Sequence, residues 1–554
     1  MSKYCVGVDF GTLSARALVA EVGTGKEAAS ADMDYPHGVM DNCLMDGTPL
    51  RPDWALQHPE DYIECLGYVV PEALRRAQVS PEQVVGMGID FTSCTLMPVD
   101  GQGVPLCMRG EYAQNPHAYV KLWKHHAAQD QANQMNEAAQ RRNEAFFPRY
   151  GGKISSEWLF PKVWQTLEEA PEIYRAADAF VEAADWVIFR LTGKKTRSEC
   201  ALGYKALYRK GAGFPDSGYF GALDQRLERV VEEKLGGEIL PLGAKAGEIT
   251  PEAARLTGLL PGTAVAVANV DAHVSVPAAG ITSPGKLLMI IGTSTCHMAL
   301  SEKECLVPGI CGVVEDGVIP GLMGYEAGQS AVGDQLNWFV KNGVPEAYAC
   351  QAREEGIGLH ELLTRKASRL KPGESGLLAL DWWNGNRSVL VDGALSGMIL
   401  GMTLLTKPEE IYRALIESTA YGSRMIVENF REHGVKVDEL VACGGIAQKN
   451  PFAMQIYADV LNQPIRVARS TQSPALGSAM FGAVAAGAKG GGYEDIHQAA
   501  REMGGVKEAF YAPNPESAKV YERLYGEYKR LHDYFGRGEN PVMKVLRQIR
   551  SQAF

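Results

Sequence analysis

Two stretches of apolar residues, one near the start of each half of the chain, are each interrupted by a Gly-Thr turn. Residues 4–22 show an apolar strand pattern, the turn Gly11-Thr12-Leu13-Ser14 and a second apolar strand pattern. Residues 286–300 repeat that order around Gly292-Thr293-Ser294. Apolar runs separated by a short turn predict hairpins, and glycine lets the backbone approach a ligand closely. One such hairpin alone is more simply an ordinary turn, but the pair predicts an internal repeat with two ligand-facing turns.

Helix and strand patterns alternate through the rest of the chain, which predicts an α/β fold. Residues 406–409 fit a capping box and predict the start of a helix that runs towards Gly434. Residues 437–443 then predict a strand that runs into Gly444-Gly445. Near the end, one helical face predicts a core-facing helix in a C-terminal helical tail, with the residues Val520, Leu524, Tyr528, Leu531 and Phe535.

A turn-rich segment divides the chain. The 554 residues exceed what one hydrophobic core usually holds, roughly 250–300 residues. Residues 260–263 predict a turn, and residues 264–270 predict a buried strand that ends at Asp271. Several prolines and glycines then break the chain before the second hairpin. We therefore predict two domains, over residues 1–268 and 269–554.

Composition narrows the class of protein. Apolar residues make up 46% and charged residues 22% of the chain, as in ordinary globular proteins, and the net charge of −11 disfavours nucleic-acid binding. The eleven cysteines are scattered without a CxxC, which favours reduced thiols over disulfides or a zinc site. The sequence shows neither a signal peptide nor an apolar run of about 18 residues. These features predict a cytoplasmic protein that does not enter a membrane.

The residues of the two Gly-Thr turns and the aspartates near them suggest phosphoryl transfer. That reaction needs bound phosphates, a metal ion and a base. A GxxxxGK[ST] loop and a usable GxGxxG are both missing, so the two Gly-Thr turns are the remaining phosphate-binding candidates. Asp9 interrupts an apolar strand beside the first turn, where it either holds Mg²⁺ or caps the turn. Asp271 follows a strand at the predicted junction, where it either accepts a proton from a substrate hydroxyl or caps a helix.

Two other groups of residues are weaker candidates. The adjacent His125 and His126 would face different sides of a helix, and no further ligand cluster is apparent, so we do not predict a metal site there. Trp382 and Trp383 precede Asn384-Gly385-Asn386 and either line a sugar site or pack in the core.

Several strings of residues match a known family. The general ones are GVDFGTLSAR at 7–16, GTS at 292–294, GALSG at 393–397 and ACGG at 442–445. The more specific ones are DFTSCT at 90–95, LWKHH at 122–126, GGKISSEW at 151–158, NVDAH at 269–273 and GYEAGQ at 324–329. On these strings the chain resembles, over essentially its whole length, the FGGY carbohydrate kinases, and within them the members that act on L-ribulose. Gly444-Gly445 has two glycines where many relatives have three, and Ser93 stands where a residue such as alanine is expected.

The resemblance implies two ribonuclease-H-like domains of the actin and hexokinase type that flank a deep cleft, the first binding sugar and the second nucleotide. It implies transfer of the γ-phosphate of ATP, with Mg²⁺, to the 5-hydroxyl of L-ribulose, and a homodimer. The implied site has Asp271 as catalytic base, Asp9 at the metal, and Ser93, Lys205, Glu326 and Asp271 at the sugar. The residues implied at ATP are Thr12, Ser14, Arg16 and Thr293 near the phosphates and Gly333, Gly444 and Gly445 beside the nucleotide.

Three alternatives stay open at this point. The chain is a kinase for another ketopentose or polyol, such as D-ribulose or a xylulose, or an ATP-binding protein of the Hsp70 or actin kind that handles protein. The sequence argues against the second of these, because it offers no separate β-rich peptide domain and no long charged lid helix. A sugar sensor without activity would lack catalytic carboxylates, whereas Asp9 and Asp271 are both present.

Overall fold

Strands and helices alternate along the chain, as the sequence predicts, in a computed structural model that describes residues 2–552. The strands are β1 (Tyr4–Phe10), β2 (Ser14–Glu21), β3 (Glu27–Asp34), β4 (Leu56–Gln57), β5 (Val84–Phe91), β6 (Leu96–Val99), β7 (Val120–Lys121), β8 (Ala179–Glu182), β9 (Thr196–Ser198), β10 (Glu238–Leu240), β11 (Lys245–Glu248), β12 (Ala264–Ala266), β13 (Asn269–Val270), β14 (Gly285–Ile291), β15 (Thr295–Ser301), β16 (Gly312–Glu315), β17 (Met323–Gln329), β18 (Leu378–Leu380), β19 (Met398–Leu400), β20 (Val437–Cys443), β21 (Ile465–Ala468) and β22 (Val506–Tyr511).

The helices connect these strands and cover their sheets. They are α1 (Pro59–Ala77), α2 (Gln129–Arg142), α3 (Leu159–Glu169), α4 (Pro171–Ala176), α5 (Ala183–Thr192), α6 (Glu199–Lys205), α7 (Ser217–Leu223), α8 (Val230–Lys234), α9 (Pro251–Thr257), α10 (Asp271–Ala278), α11 (Val332–Asn342), α12 (Glu346–Glu354), α13 (Leu359–Ala367), α14 (Pro408–Glu432), α15 (Gly445–Lys449), α16 (Pro451–Leu461), α17 (Ser473–Ala486), α18 (Ile496–Met503), α19 (Pro515–Gly536) and α20 (Val542–Gln552). Within residues 2–552, none of them combines the length and the apolar character needed to cross a bilayer.

Two large sheets repeat one topology. The first has the strand order β11-β12-β5-β1-β2-β3, and the second has the order β22-β21-β20-β14-β15-β17-β16. In each sheet the opening hairpin (β1-β2 or β14-β15) is extended by a third antiparallel strand. On its other side the first strand of the hairpin pairs in parallel with a later strand, β5 or β20. The repeat predicted from the Gly-Thr turns is therefore a repeat of the whole sheet.

Helix α17 lies directly on the first sheet, although it comes from the second half of the chain. The strands β1 and β5 present glycines to it. A Cβ atom on Gly7 would lie 1.8 Å from the carbonyl oxygen of Ala475, and one on Gly88 would lie 1.9 Å from that of Ser478. Because no side chain fits in that space, the glycines allow helix and sheet backbones to touch.

A shared hydrophobic core joins the two sheets. It combines Leu18 of the first sheet and Met298 of the second with Val274 of α10 and Leu476 of α17, all buried. The division after residue 268 stays a prediction. Strand β13, which follows that boundary, still pairs with β5 of the first sheet.

The start of α14 differs by one residue from the sequence prediction. The backbone N–H of Lys407 donates to Glu410 Oε2 at 2.7 Å, so Glu410 caps the backbone of Lys407, whose own side chain makes no capping hydrogen bond. Thr406 instead accepts a hydrogen bond from the backbone of Thr403, in the preceding turn. The helix begins at Pro408 because proline suits the first helical position, where no backbone donor is needed.

The buried face of α19 is rotated from the predicted one. Its centre is formed by Tyr521, Tyr525 and Tyr528, whereas Leu524, Leu531 and Phe535 are only partly buried beside it. Each tyrosine hydroxyl donates to a carboxylate of the second domain's interior, at Glu417, Glu428 or Asp381. A tyrosine can therefore be buried along its ring while its hydroxyl stays hydrogen-bonded.

A separate lobe of the first half stands beside the cleft. It contains the small sheet β4-β7-β6-β8 and its own apolar core, which includes Trp54, Leu159 and Trp164. Helix α6 contributes Leu202 to that core and ends at Lys205. The lobe thus fixes the helix that carries Lys205 into the cleft.

Candidate active site

The two Gly-Thr turns face one cleft of about 130 Å³ between the two sheets. Five residues predicted for the site line it, namely Thr12, Ser93, Asp271, Thr293 and Glu326. They come from both halves of the chain, from the turn after β1 to β17, and they meet because the sheets repeat one topology around a shared core. The cleft is therefore lined by both turns and by the carboxylate of Asp271.

The first turn, residues 11–13, is held from several directions. The backbone N–H of Gly11 donates to Ser14 O at 3.0 Å, which closes the hairpin and places Ser14 at the start of β2. The indole N–H of Trp123 donates to Thr12 Oγ1 at 3.1 Å. The hydroxyl of Thr12 is thereby oriented by a side chain that also lines the cleft.

The second turn, residues 292–294, is surrounded by the predicted nucleotide glycines. The backbone N–H of Gly333 donates to Gly292 O at 3.0 Å, and a Cβ atom on Gly333 would lie 2.7 Å from that oxygen. Gly444 has a φ of +91°, and a Cβ atom there would lie 2.6 Å from the carbonyl oxygen of Ile291. Gly445 begins the short helix α15 with open space where a Cβ would be. These close approaches require glycine at 333 and 444.

Asp9 forms a pair with a second carboxyl group. In the parallel register of β1 and β5 it lies directly beside Asp90, which is fully buried. Burial and the negative charge of Asp9 raise the pKa of Asp90 well above its usual range. Burial also raises the pKa of Asp9, against a hydrogen bond from Asp90 and the charge of Arg16, its cross-strand neighbour on β2. Asp9 and Asp90 thus form a carboxyl pair in which both pKa values are raised.

Asp90 is further held by Ser478, a residue of α17. The Ser478 hydroxyl donates to Asp90 Oδ2 at 2.5 Å, while Asp90 Oδ1 is buried without a hydrogen-bond partner. An unpaired buried carboxylate oxygen beside a second carboxylate suits a hard cation, because Mg²⁺ prefers oxygen ligands. The residues present therefore fit the metal that the sequence predicts at Asp9.

Asp271 is the first residue of α10, at the end of β13. Its Oδ1 accepts the backbone N–H of Ala272 at 2.7 Å. The N-cap residue is Val270, so Asp271 does not make the N-cap contact weighed from the sequence. Burial and the charge of Asp9 raise the pKa of Asp271 to about 7. A carboxylate with a pKa near neutrality is suited to accept a proton at the pH of the cell.

Lys205 and Glu326 form a buried ion pair across the two halves of the chain. Lys205 Nζ donates to both oxygens of Glu326 at 2.9 Å. Burial opposes the charge on Glu326, but Lys205 and His273 outweigh it and hold the pKa of Glu326 below its usual range. Both charged groups therefore stay ionised beside the cleft.

A neutral histidine supports that pair. His273 Nε2 lies 3.2 Å from Glu326 Oε2, and His273 Nδ1 lies 2.9 Å from Cys200 Sγ. Burial lowers the pKa of His273 and raises that of the Cys200 thiol, so the ring is neutral and the thiol keeps its proton. The thiol donates to Nδ1 and the ring donates its Nε2–H to Glu326, which fixes the tautomer.

The loop that carries Ser93 is positioned by a buried lysine that sequence reasoning missed. Lys162 Nζ donates to Cys94 O at 2.7 Å and to Leu122 O at 2.9 Å. Cys94 has a positive φ of 54°, a conformation that such contacts must hold in place. Ser93 thereby reaches the cleft from a fixed backbone.

Arg387 is another residue that the sequence did not single out. Its guanidinium donates to Glu157 Oε2 at 2.6 Å and lies over the ring of Trp123. It lines the cleft and also an adjoining cavity of about 120 Å³, together with Lys205 and Asn386. Arg387 lies in an irregular loop, where no periodic pattern could have indicated it.

The weaker sequence candidates divide between packing and the cavity. Trp382 is fully buried in the core, and Trp383 packs on Trp338, whereas Asn384 lines the adjoining cavity with Asn386. His125 is buried, and its Nε2 lies 3.0 Å from Gln165 Oε1. No metal cluster includes His125 or His126 in the part of the chain that the structure describes.

Asp90 and His273 also belong to the site, although no role is predicted for them from the sequence. Asp90 interrupts the apolar strand β5 as Asp9 interrupts β1, so the same signal could have found it. His273 follows Asp271 by two residues, and its contacts depend on the second half of the chain. The roles of all these residues stay predictions, whereas their proximity is a structural fact.

Comparison with known proteins gives a consistent result. Models described as the N-terminal and C-terminal domains of the FGGY family of carbohydrate kinases match residues 4–276 and 287–486. The chain is 57% identical to a ribulokinase of Geobacillus thermodenitrificans, over 100% of this chain and 98% of that one. It is 50% identical to a ribulokinase of Mycolicibacterium smegmatis, over 100% of this chain and 97% of that one.

Solved structures give the same fold. A ligand-bound xylulose kinase from Lactobacillus acidophilus superposes with a TM-score of 0.78 at 17% identity, over 97% of this chain and 99% of that one. A xylulose kinase from Rhodospirillum rubrum superposes with a TM-score of 0.73 at 23% identity, over 96% and 98%. The expected α/β fold with two sheet-rich domains is confirmed.

Proposed function

We propose that the chain, which belongs to the FGGY family of carbohydrate kinases, transfers the γ-phosphate of ATP to the 5-hydroxyl of L-ribulose. Family membership makes it a phosphotransferase with an alcohol group as acceptor. The observation that carries the proposal is the single cleft in which two matching turns flank Asp271, beside the Lys205–Glu326 pair. The names of relatives at 50–57% identity support L-ribulose as the acceptor.

The proposed chemistry assigns each group one task. Asp271 accepts the proton of the 5-hydroxyl as its oxygen attacks the γ-phosphorus and the bond to the leaving ADP oxygen breaks. The hydroxyls of Thr12 and Thr293 hold phosphate oxygens, and the glycines at 333, 444 and 445 border the nucleotide. Ser14 and Arg16 support the first turn from β2, since each lies in that strand.

Sugar recognition falls to polar groups that are fixed before substrate binds. Lys205 and Glu326 present a donor and an acceptor with few rotamers left to lose, because both are buried and paired. Ser93 contributes from the loop held by Lys162. A site that hydrogen-bonds each hydroxyl rejects analogues that leave its groups unpaired.

Mg²⁺ is the proposed metal, with Asp9 and Asp90 as the residues that would hold it. The ion would offset the negative charge of the phosphates during transfer. Without it, burial and the charge of Asp9 raise the pKa of Asp90. A cation bound by Asp9 and Asp90 would therefore favour the ionised form of both carboxyls.

The test is ADP release with Mg-ATP across L-ribulose, D-ribulose, both xyluloses, glycerol and no sugar. Asp271→Asn keeps the shape of the side chain and is expected to lower kcat by about 10²–10⁴, the usual contribution of a general base. Asp130→Asn, at an exposed carboxylate of α2, is the matched control and should change nothing. Stronger activity on another sugar would keep the assignment as a sugar kinase and change the assigned substrate. ADP release that ignores every sugar, or a fully active Asp271→Asn, would contradict the proposal.

The resemblance also supports a homodimer and a cytoplasmic location, which we add to the proposal. Light scattering should give twice the chain mass of 60.1 kDa. A mass equal to one chain at micromolar concentration would refute the dimer. Cell fractionation should place the activity in the cytoplasmic fraction.

A further inference from the structure

A second polar cluster lies outside the cleft, at the start of α1. His37 Nδ1 lies 2.5 Å from Asp61 Oδ1, and the rings of His37 and His58 are 5.0 Å apart. One ligand atom from each of these three residues lies within 4.8 Å of the others. Asp61 and His58 are buried, with side-chain exposures of 1% and 10%, whereas His37 is 31% exposed.

One ring nitrogen of His58 is unpaired within this cluster. Its Nδ1 is buried without a hydrogen-bond partner, which is rare and costly for a polar atom. A ring nitrogen without a hydrogen-bond partner can offer its lone pair to a metal ion. The exposed Glu60 lies 3.8 Å from that nitrogen and can supply a further oxygen. Two imidazoles with a carboxylate form a donor set that suits zinc.

The spacing is close to that of a metal site. Zinc binds nitrogen and oxygen ligands at about 2.0–2.2 Å in a tetrahedral arrangement, so two ligand atoms of one ion lie about 3.3–3.6 Å apart. Closing the cluster from 4.8 Å takes a movement of about 1.2–1.5 Å by the same geometry. His37 can supply it, because its side chain is the exposed one.

The residues next to these ligands hold the first turn of the cleft. Tyr35 Oη donates to Gly11 O at 3.0 Å, and Gln57 Nε2 donates to Thr12 O at 2.8 Å. Tyr62 Oη donates in turn to Gln57 Oε1 at 2.7 Å. Tyr35 precedes His37 by two residues, and Gln57 and Tyr62 directly adjoin the other two ligands. A cross-link between the ligands therefore restrains both groups that hold the turn.

We propose that His37, His58 and Asp61 form a binding site for a divalent transition-metal ion such as Zn²⁺, which fastens the first Gly-Thr turn from behind. The site is separate from the carboxylates Asp9 and Asp90 and takes a softer ion, because it offers nitrogen ligands. Its binding step does not depend on the proposed function.

Calorimetric titration of the full chain with Zn²⁺ alone, without nucleotide, tests binding. We expect the wild type to bind one ion at this site, and His37→Gln and His58→Gln each to weaken it at least tenfold. His37→Gln is the decisive variant, since the exposed side chain can be changed without disturbing the core. His433→Gln is the matched control, because His433 is an exposed histidine that contacts only its own helix at Asn429. Equal binding by wild type and both cluster variants, or no binding, would overturn the site.

X-ray absorption of the zinc-loaded protein separates this site from thiols, including the exposed Cys43. Nitrogen and oxygen ligands at about 2.0–2.1 Å support the proposal, and sulfur at about 2.3 Å overturns it. Amide hydrogen exchange tests the link to the turn without any use of activity. Exchange in residues 11–14 should slow with Zn²⁺ in the wild type and not in His37→Gln. Unchanged exchange with zinc bound to the wild type would overturn the fastening role.

Discussion

Replacement of Lys205 by methionine should destabilise the protein strongly. The side chains of Lys205 and Glu326 are only 4% and 6% exposed, and the lysine donates to both carboxylate oxygens. Methionine would fill a similar volume but leave the carboxylate of Glu326 buried, with only His273 as a close partner. Breaking a buried ion pair in this way costs about 3–5 kcal/mol, because an uncompensated charge stays in the interior.

The effect should depend on pH with a defined sign. In the wild type the pKa of Glu326 is depressed, so its contribution to stability is present above its unfolded pKa of about 4.3 and is lost as pH falls below it. In Lys205→Met the depressing charge is gone and burial dominates, so the pKa of Glu326 rises. The carboxyl then takes up a proton as pH falls, and the difference between variant and wild type should shrink from pH 8 to pH 5.

Thermal unfolding followed by circular dichroism measures this. For a unit of about 200 residues each kcal/mol shifts Tm by roughly 2–4 °C, so a fall of roughly 6–20 °C is expected at pH 8. Lys519→Met is the matched control, because Lys519 and its partner Glu516 are 72% and 82% exposed and their pair is worth at most about 1 kcal/mol. The double variant Lys205→Met/Glu326→Gln should recover part of the loss. A Lys205→Met shift no larger than that of the control would refute the reasoning.

Two further predictions follow from the cleft and its support. In the free enzyme, kcat/KM should rise with pH, and its acid limb should have a midpoint near pH 7. Burial and the charge of Asp9 raise the pKa of Asp271 to about 7, and the base acts when it is deprotonated. A flat profile from pH 5.5 to 8 would count against Asp271 as base. Gly477→Ala should greatly reduce the yield of folded protein, since its Cβ would lie 1.9 Å from the carbonyl oxygen of Val274. The control Gly526→Ala has open space around its Cβ in α19 and should leave stability unchanged or raise it by about 0.5–1 kcal/mol. Soluble expression and Tm are measured for both variants.

Local patterns predicted the parts of this fold whose residues interact with near neighbours. Both Gly-Thr hairpins and the strand at 437–443 appear at the expected places, because strand and turn patterns are set by adjacent residues. The family resemblance supplied further site residues, of which Ser93 and Glu326 line the cleft together with Thr12, Asp271 and Thr293. Neither source could give distances, since Lys205 and Glu326 are 121 residues apart in the chain.

Contacts between distant segments explain what was missed. The buried face of α19 centres on tyrosines because Glu417, Glu428 and Asp381 accept hydrogen bonds from their hydroxyls. Periodicity alone favours the leucines instead. Arg387 lies in an irregular loop, and its role depends on Glu157, 230 residues away. Asp90 is different, because its position in an apolar strand matches that of Asp9 and was visible in the sequence.

The packing of two helices explains why Asp271 holds a fixed position in the cleft that both Gly-Thr turns line. Asp271 begins α10, whose backbone touches α17 at Gly477, and α17 touches the first sheet at Gly7 and Gly88. These contacts involve backbone atoms, which have no rotamers through which to move apart. The same helices share a core with the second sheet through Val274 and Leu476. The carboxylate is therefore fixed relative to both sheets and to the Gly-Thr turns that their opening hairpins carry.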